Sequence, residues 1–435
     1  MPETLDAIVV GTGPGGAPLA RDLARAGKKV LMLERGIRHE KALGMPLGPR
    51  IMEGAGVFCR SREGVFIARG ITLGGSSMIY NANVFSPPQK VFEAMGVDFS
   101  ESVSEIRNEI GPKVLPERFF KNARGLARLM SAAESLGLDF EPQKKFVNPD
   151  LCRVGCDSCM AGCSRRAKFT TRVFADQAVS AGARLLTGCA VEKIIVEKGR
   201  AKGVITRDGR TFSAKTIVLA AGGLGTPAIL LRSGIADVGS HFYMDPMNIV
   251  VGYMDQGPGA KGEMTFTHAI ESTAKEEKFI IGNISSFAVA STSLMRMNVL
   301  LHNLPRLPRY RHGIGLFVKL SDSAHGQVFP DGSISKPYLP VDYKRMKAGT
   351  DLAREILVRA GVAPGSLAVG EGIGGHPGGT VAMGRSLNTD FSLKAVENLY
   401  VCDGSALPES PGVPPSLTIM GMSRHLGKKL VAALG

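Results

Sequence analysis

Residues 5–34 constrain the fold of this chain more than any other stretch. LDAIVV (Leu5–Val10) is an apolar strand, GTGPGG (Gly11–Gly16) is a glycine-rich turn, and Ala17–Ala26 has helix-forming composition. A second apolar strand, Lys29–Leu33, then ends at Glu34. Strand, G-x-G-x-x-G, helix, strand, acid is the order that a dinucleotide-binding βαβ unit requires. In such a unit Gly11 permits the tight turn, Gly13 and Gly15 keep side chains away from an approaching pyrophosphate, and Gly16 lets helix and strand pack closely. The helix N-terminus offers free N–H groups and the positive end of its dipole to phosphates. Glu34 stands where a carboxylate accepts hydrogen bonds from adenosine ribose hydroxyls. The pattern by itself does not separate FAD from NAD.

A second piece of the same unit lies far downstream. Lys215–Ala221 is an apolar strand, and Gly222–Pro227 turns into a short helix that ends at Gly234. Just before it, Ala190–Glu197 and Gly203–Arg207 are separated by a polar turn and pattern as a hairpin. The nucleotide unit is therefore discontinuous, interrupted by segments that build something else.

Composition narrows the class. The 435 residues carry a formal charge of +14, but the basic residues are scattered through glycine-rich and apolar sequence. That distribution favours an enzyme with a basic surface and argues against nucleic-acid binding. No apolar run reaches the ~18 residues of a spanning helix, since Thr216–Leu231 is broken by glycines and a proline. With the first strand starting close to Met1, no secretory leader is expected and the expected location is cytoplasmic. Cys152, Cys156, Cys159 and Cys163 then point to reduced thiols or metal ligands rather than a disulfide framework. Four soft ligands so close together can wrap an iron–sulfur cluster, whereas a four-cysteine zinc site normally uses two separated knuckles.

The closing stretch carries the chemistry. GGHPGGTVAMG (Gly374–Gly384) sets His376 among glycines, Leu399–Cys402 is a short apolar strand ending at Asp403, and Pro414-Pro415 turns into a helix over Ser416–Ala433. A histidine suits proton transfer because its unperturbed pKa lies near neutrality. In the middle of the chain, Lys278–Val289 and Ile314–Leu320 have strand composition and Asp342–Gly361 reads as a helix. Ser293–His312 is apolar, basic and proline-punctuated: a lid, a peripheral membrane contact, or a core helix followed by a solvated loop.

Four stretches together resemble the glucose–methanol–choline (GMC) flavoprotein oxidoreductases: Gly11–Gly16, GITLGGSSMIYNANVF (Gly70–Phe85), VLAAGGLGTPAILLRSGI (Val218–Ile235) and Gly374–Met420. They occur in the family's order and span nearly the whole chain. The nearest branch is that of long-chain alcohol oxidases and FAD-dependent sugar dehydrogenases. The resemblance implies FAD and an α/β fold, with a discontinuous Rossmann-like FAD-binding domain (residues 1–90, 165–245 and 385–435). A cysteine-rich insertion (91–164) and a smaller α+β substrate domain (246–384) would cover the flavin. It implies Gly74 and Gly75 against the isoalloxazine, and Ser76, Ser77, Asn81 and Asn83 as donors to its edge. Asp403 would lie near the ribityl and phosphate groups, and Pro415 and Ser416 would begin a helix aimed at the flavin. His376 would be the base that takes the hydroxyl proton of an alcohol substrate.

The two branches differ at the cysteine loop. The oxidases carry it without a cluster and the sugar dehydrogenases with one, so Cys152, Cys156, Cys159 and Cys163 are candidate ligands of an electron relay to an external acceptor, a protein or a quinone. At Pro414 the chain departs from the family, which places His or Asn there. Either His376 works alone, or another residue replaces the partner, or the reaction is not alcohol oxidation. The alternatives are a non-oxidative flavin enzyme of the lyase or hydratase type, and an electron-transfer subunit of a larger complex.

Overall fold

Leu5–Val10 forms a strand whose side chains are almost all buried, the helix Ala17–Arg25 follows the glycine turn, and Val30–Glu34 returns as a fully buried strand. The two strands pair in parallel, Ala7 with Val30 through Val10 with Leu33. Burial on both faces explains why these strands read as continuous apolar runs rather than alternating ones. The computed structural model describes residues 5–39, 59–156, 158–286, 288–289 and 297–435.

These strands sit at the centre of a seven-stranded sheet. Arg184–Thr187 extends it beyond Val30–Glu34, and Thr211–Leu219 lies parallel to Leu5–Val10 on the other side. The later half of Thr211–Leu219 also pairs with Leu399–Val401. Its earlier half pairs with Arg200–Thr206, which closes the expected hairpin with Val191–Glu197. Chain segments far apart in sequence thus meet in one sheet. The C-terminal helix Ser416–Ala433 packs over the helix Ala17–Arg25, and Ser423 Oγ locks the contact: it accepts from Leu19 N at 3.0 Å and donates to Gly15 O at 2.7 Å.

A second, eight-stranded sheet is built around Pro246–Tyr253. That strand pairs antiparallel with Gly313–Leu320 on one side and with Ala368–Gly374 on the other. The long helix Pro340–Arg359 covers one face, burying Ala353, Ile356 and Leu357 against Val250, Leu316 and Val318. Period-two alternation then sends Met247, Ile249, Phe317 and Lys319 to the opposite face, where they line a cavity between the two sheets.

Two expected elements differ in extent. The strand expected over Lys278–Val289 stops at Ile284, because Ser285 Oγ accepts a hydrogen bond from Ala288 N and turns the chain. Of Ser293–His312, residues 293–296 lie outside the described residues. The remainder is a short helix, Met297–Asn303, running into a 3₁₀ turn over Leu304–His312 with Pro308 inside it. Among the described residues no helix is long and apolar enough to cross a membrane.

Candidate active site

The glycine turn supplies the floor of the site. A Cβ at Gly16 would stand 2.0 Å from Gly11 O, and one at Gly15 would stand 1.6 Å from Cys402 O, so both are held by backbone packing. At Gly13 a Cβ would meet nothing within 4 Å. It opens into a cavity of about 860 Å³, lined also by Gly11, Gly15, Glu34, Gly75, Ser76, Ser77, Asn81, Asn83, His376, Asp403, Pro414, Pro415 and Ser416. The structure therefore brings nearly all the sequence-predicted site residues around one space. Gly74 stands behind the wall, where its left-handed backbone (φ 92°) starts the turn Gly75–Met78 and its N–H donates to Thr12 Oγ1.

Several of the predicted polar groups turn out to hold loops. Glu34 accepts from Thr12 N and from Gly36 N, at 3.0 and 2.8 Å. Asp403 accepts from Gly222 N, Thr226 Oγ1 and Ser405 N, at 2.8, 2.6 and 2.8 Å, and so ties its own turn to the start of the helix Gly222–Arg232. Burial raises both carboxyl pKa values despite these hydrogen bonds. Ser77 Oγ donates to Gly74 O at 2.6 Å and accepts from Thr171 N at 3.0 Å, and Ser76 Oγ accepts from Gly70 N. Asn83 Nδ2 donates to Phe266 O, while its Oδ1 accepts from the buried Lys145 ammonium at 2.8 Å. Ser77 and Asn83 thus shape the cavity wall from behind.

His376 reaches the cavity from the end of the strand Ala368–Gly374, and its side chain keeps 23 % exposure. Sequence reasoning missed its neighbours. Nδ1 lies 2.7 Å from Lys319 Nζ and 3.2 Å from Asp245 Oδ2, and Lys319 Nζ lies 2.6 Å from the same carboxylate oxygen. The sheet explains the convergence. Pro246 pairs with Gly374 and Met247 with Lys319, so Asp245, Lys319 and His376 stand at one end of three adjacent strands. Asp245 adopts a positive φ of 49°, a conformation that costs a non-glycine residue about 1 kcal/mol or more. Its other oxygen accepts from Ser410 Oγ, which also reaches Asp322, and Asp322 pairs with Lys336 at 2.9 Å.

This cluster sets the local pKa values. Burial and then the Lys319 charge press His376 down to about 4. Burial also lowers Lys319, against the pull of Asp245. For Asp245 burial opposes ionisation, but Lys319 and His376 outweigh it and hold the carboxyl below its ordinary value. Burial lifts Asp322 to about 6, with Lys336 opposing.

Cys152, Cys156, Cys159 and Cys163 line one small cavity together with Lys168, yet its volume is about 10 Å³, room for one water molecule. None of the four is in a disulfide among the described residues. Among the described residues no group of three or more His, Cys, Asp or Glu is arranged to hold a metal ion. The four cysteines border one small space, but so placed they do not fit a cluster. Burial and the neighbouring thiols push Cys152 up to about 11.

A dinucleotide cradle in an α/β domain, closed by a second sheet with a partly exposed imidazole, defines a class of two-domain cofactor-dependent oxidoreductase. The chain belongs to the GMC oxidoreductase family: the family's two profiles match residues 49–247 and 317–423, more than half of its length. It is 28% identical to an uncharacterized GMC-type oxidoreductase of Mycobacterium tuberculosis, over 98% of this chain and 76% of the relative. It is 26% identical to a long-chain-alcohol oxidase of Arabidopsis thaliana, over 99% and 67%. Pyridoxine 4-oxidase from Mesorbium loti superposes with a TM-score of 0.69 at 16% identity, covering 98% of this chain and 99% of that one, a likeness of fold.

Membership makes the chain an FAD-dependent oxidoreductase, and the residues present suit that cofactor. Gly13 leaves the cradle open where a Cβ would fill it. Tyr243 Oη, buried in the cavity wall, has no hydrogen-bond partner among the described residues, a cost that a bound polar group would relieve.

Proposed function

We propose that the protein oxidises an apolar alcohol, with His376 accepting the hydroxyl proton. FAD, when bound, supplies the hydride acceptor. The observation that supports this reading is the position of His376: its ring edge is exposed in the same cavity as Gly13, Ser76 and the start of the helix Ser416–Ala433. That helix start would offer N–H groups and the positive end of its dipole to charge developing on a flavin held in this cavity. Met247, Ile249 and Phe317 from the second sheet, with Phe266 from the turn before its strand His268–Ile270, line the cavity, which favours a hydrocarbon substituent over a sugar ring.

Electrons then leave for an external acceptor. A relay through the four-cysteine loop belongs to this reading only if the loop rearranges to admit metal, and iron quantification with an EPR spectrum of the purified protein decides that. The alcohol reading is tested by anaerobic mixing with a series of primary alcohols while the flavin absorbance is followed. Bleaching is expected to quicken with chain length. His376→Ala is expected to keep its FAD and to slow bleaching by about 100-fold or more. Bleaching at the unaltered rate in that variant would remove His376 from the reaction.

A further inference from the structure

Lys319 is a lysine inside an otherwise apolar strand, GIGLFVKL, and is 1 % exposed. Its amine lies 2.7 Å from Nδ1 of the His376 ring, the nitrogen that also faces Asp245, and Nε2 is the nitrogen without a protein partner among the described residues. Two protonation states satisfy these distances. With Lys319 as an ammonium, Nζ donates to Asp245 and to Nδ1, so the ring carries its proton on Nε2 and cannot accept another there. With Lys319 as a neutral amine, the ring carries its proton on Nδ1, directed at the amine lone pair and Asp245, and Nε2 is open as a base.

These two states are the start and the end of one proton transfer. We propose that Lys319 is the terminal proton acceptor of the oxidation, taking through His376 the proton that the alcohol loses; this rests on the alcohol-oxidation reading. The alcohol O–H bond breaks as Nε2–H forms, and the Nδ1–H bond breaks as a third Nζ–H forms. The hydride passes from the carbinol carbon to the flavin, the two-electron oxidant. The end state is a Lys319 ammonium against the Asp245 carboxylate, a neutral pair in place of a buried anion. An imidazolium beside an ammonium is avoided throughout, which is the physical reason for a relay.

The surroundings support this assignment. Burial, the largest cause, already presses His376 far below an ordinary imidazole, so the ring is a poor final resting place for the proton. Asp245 is fixed by Ser410 and by its own left-handed backbone. Among the described residues, other ionisable groups close to the pair are Asp322, which pairs with Lys336, and Tyr243, whose hydroxyl has no hydrogen-bond partner there. Neither lies within hydrogen-bonding reach of Lys319 or His376 in the structure. Lys319 acts through His376 and is a positioning and relay residue, which separates its signature from that of the base itself.

The test uses FAD-loaded protein and two readouts, the rate of anaerobic flavin reduction across pH and the ring titration of His376 by NMR with ¹⁵N-labelled histidine. In the parent protein the reduction rate rises with pH as Lys319 loses its proton and then levels off. Lys319→Met and Lys319→Arg are both expected to slow reduction by about 100-fold, because a guanidinium keeps the charge but cannot take a proton. Lys319→Ala is expected to regain rate with added alkylamines. In Lys319→Met the His376 titration moves up from about 4 towards the ordinary imidazole value, with or without substrate. Should Lys319→Met fail to retain FAD, the double variant Asp245→Asn/Lys319→Met removes both buried charges together and carries the same rate prediction. Parent-like reduction in Lys319→Arg, or an unmoved His376 titration in Lys319→Met, overturns the relay alone. A parent flavin that no alcohol bleaches overturns the relay and the alcohol reading together.

Discussion

His268 is 7 % exposed, stands edge-on to Phe120 with ring centroids 5.1 Å apart, and is held by burial at a pKa of about 4. Between that value and the ~6.5 of a free imidazole, the unfolded chain binds the proton and the folded chain does not. Stability therefore falls as pH drops through that window, by up to about 3 kcal/mol from this group. Glu263 has the opposite sign. It caps the helix Arg124–Glu134 by accepting from Gly125 N and Leu126 N at 2.7 and 3.0 Å, yet burial lifts its pKa to about 7. Here the folded chain binds the extra proton, so the contribution is full below the unfolded value of ~4.5 and is lost as pH rises towards 7. Denaturant titrations at several pH values should show His268→Gln flattening the acid limb and Glu263→Gln flattening the opposing slope. A His268→Gln profile that parallels the parent would mean the histidine is protonated in the fold. At this scale His376, Asp403 and the glycine turn are legible because they sit in local patterns. Asp245 and Lys319 are not, because only sheet register joins residues so distant in sequence. Their one signal is a lysine where every neighbouring position is apolar.

At the scale of elements, the buried Lys168 shows how a loop is fastened to a site. Its ammonium donates to Met78 O, Tyr80 O and Cys159 O at 2.8, 3.1 and 2.5 Å, clamping the cysteine loop to the turn that lines the cavity. Burial lowers it to about 8 despite the nearby thiols. Lys168→Met leaves these carbonyls without their donor, at a cost of about 1–3 kcal/mol each where no water enters. The expected result is weaker FAD binding by isothermal titration, with faster thiol labelling of Cys159. Unchanged affinity and labelling would show that the loop is held by other contacts. Elements with a clear hydrophobic period were readable in advance: the helix read over Asp342–Gly361 forms as Pro340–Arg359, and the C-terminal helix runs over Ser416–Ala433 as expected. The cysteine loop was readable only as a spacing. Whether four sulfurs enclose a metal or one water-sized gap depends on packing that spacing does not encode.

At the scale of the molecule, the two sheets meet across a cavity of about 860 Å³, so a cofactor bound there would bridge them. The main clusters of buried apolar residues lie within each sheet and its helices: Ile8, Val9, Ile217 and Leu219 in one, Leu316, Val318, Ile356 and Leu357 in the other. A ligand that binds only the folded state stabilises it by about 2.7 kcal/mol at a hundredfold excess over its dissociation constant. Removing FAD is therefore expected to lower the melting temperature without unfolding either core. Hydrogen exchange should then divide the molecule. Amides of Leu5–Val10 and Thr211–Leu219, paired strand to strand, should stay protected in the stripped protein. Those of residues 75–77 and 374–376, which line the cavity, should exchange faster. Readdition of FAD should restore both. Uniform loss of protection would mean that the two sheets fold as one cooperative unit around the cofactor. That division could not be read from sequence: the nucleotide unit announces itself within residues 5–34, whereas the second sheet draws short strands from distant segments, and only pairing shows that they face the same ligand.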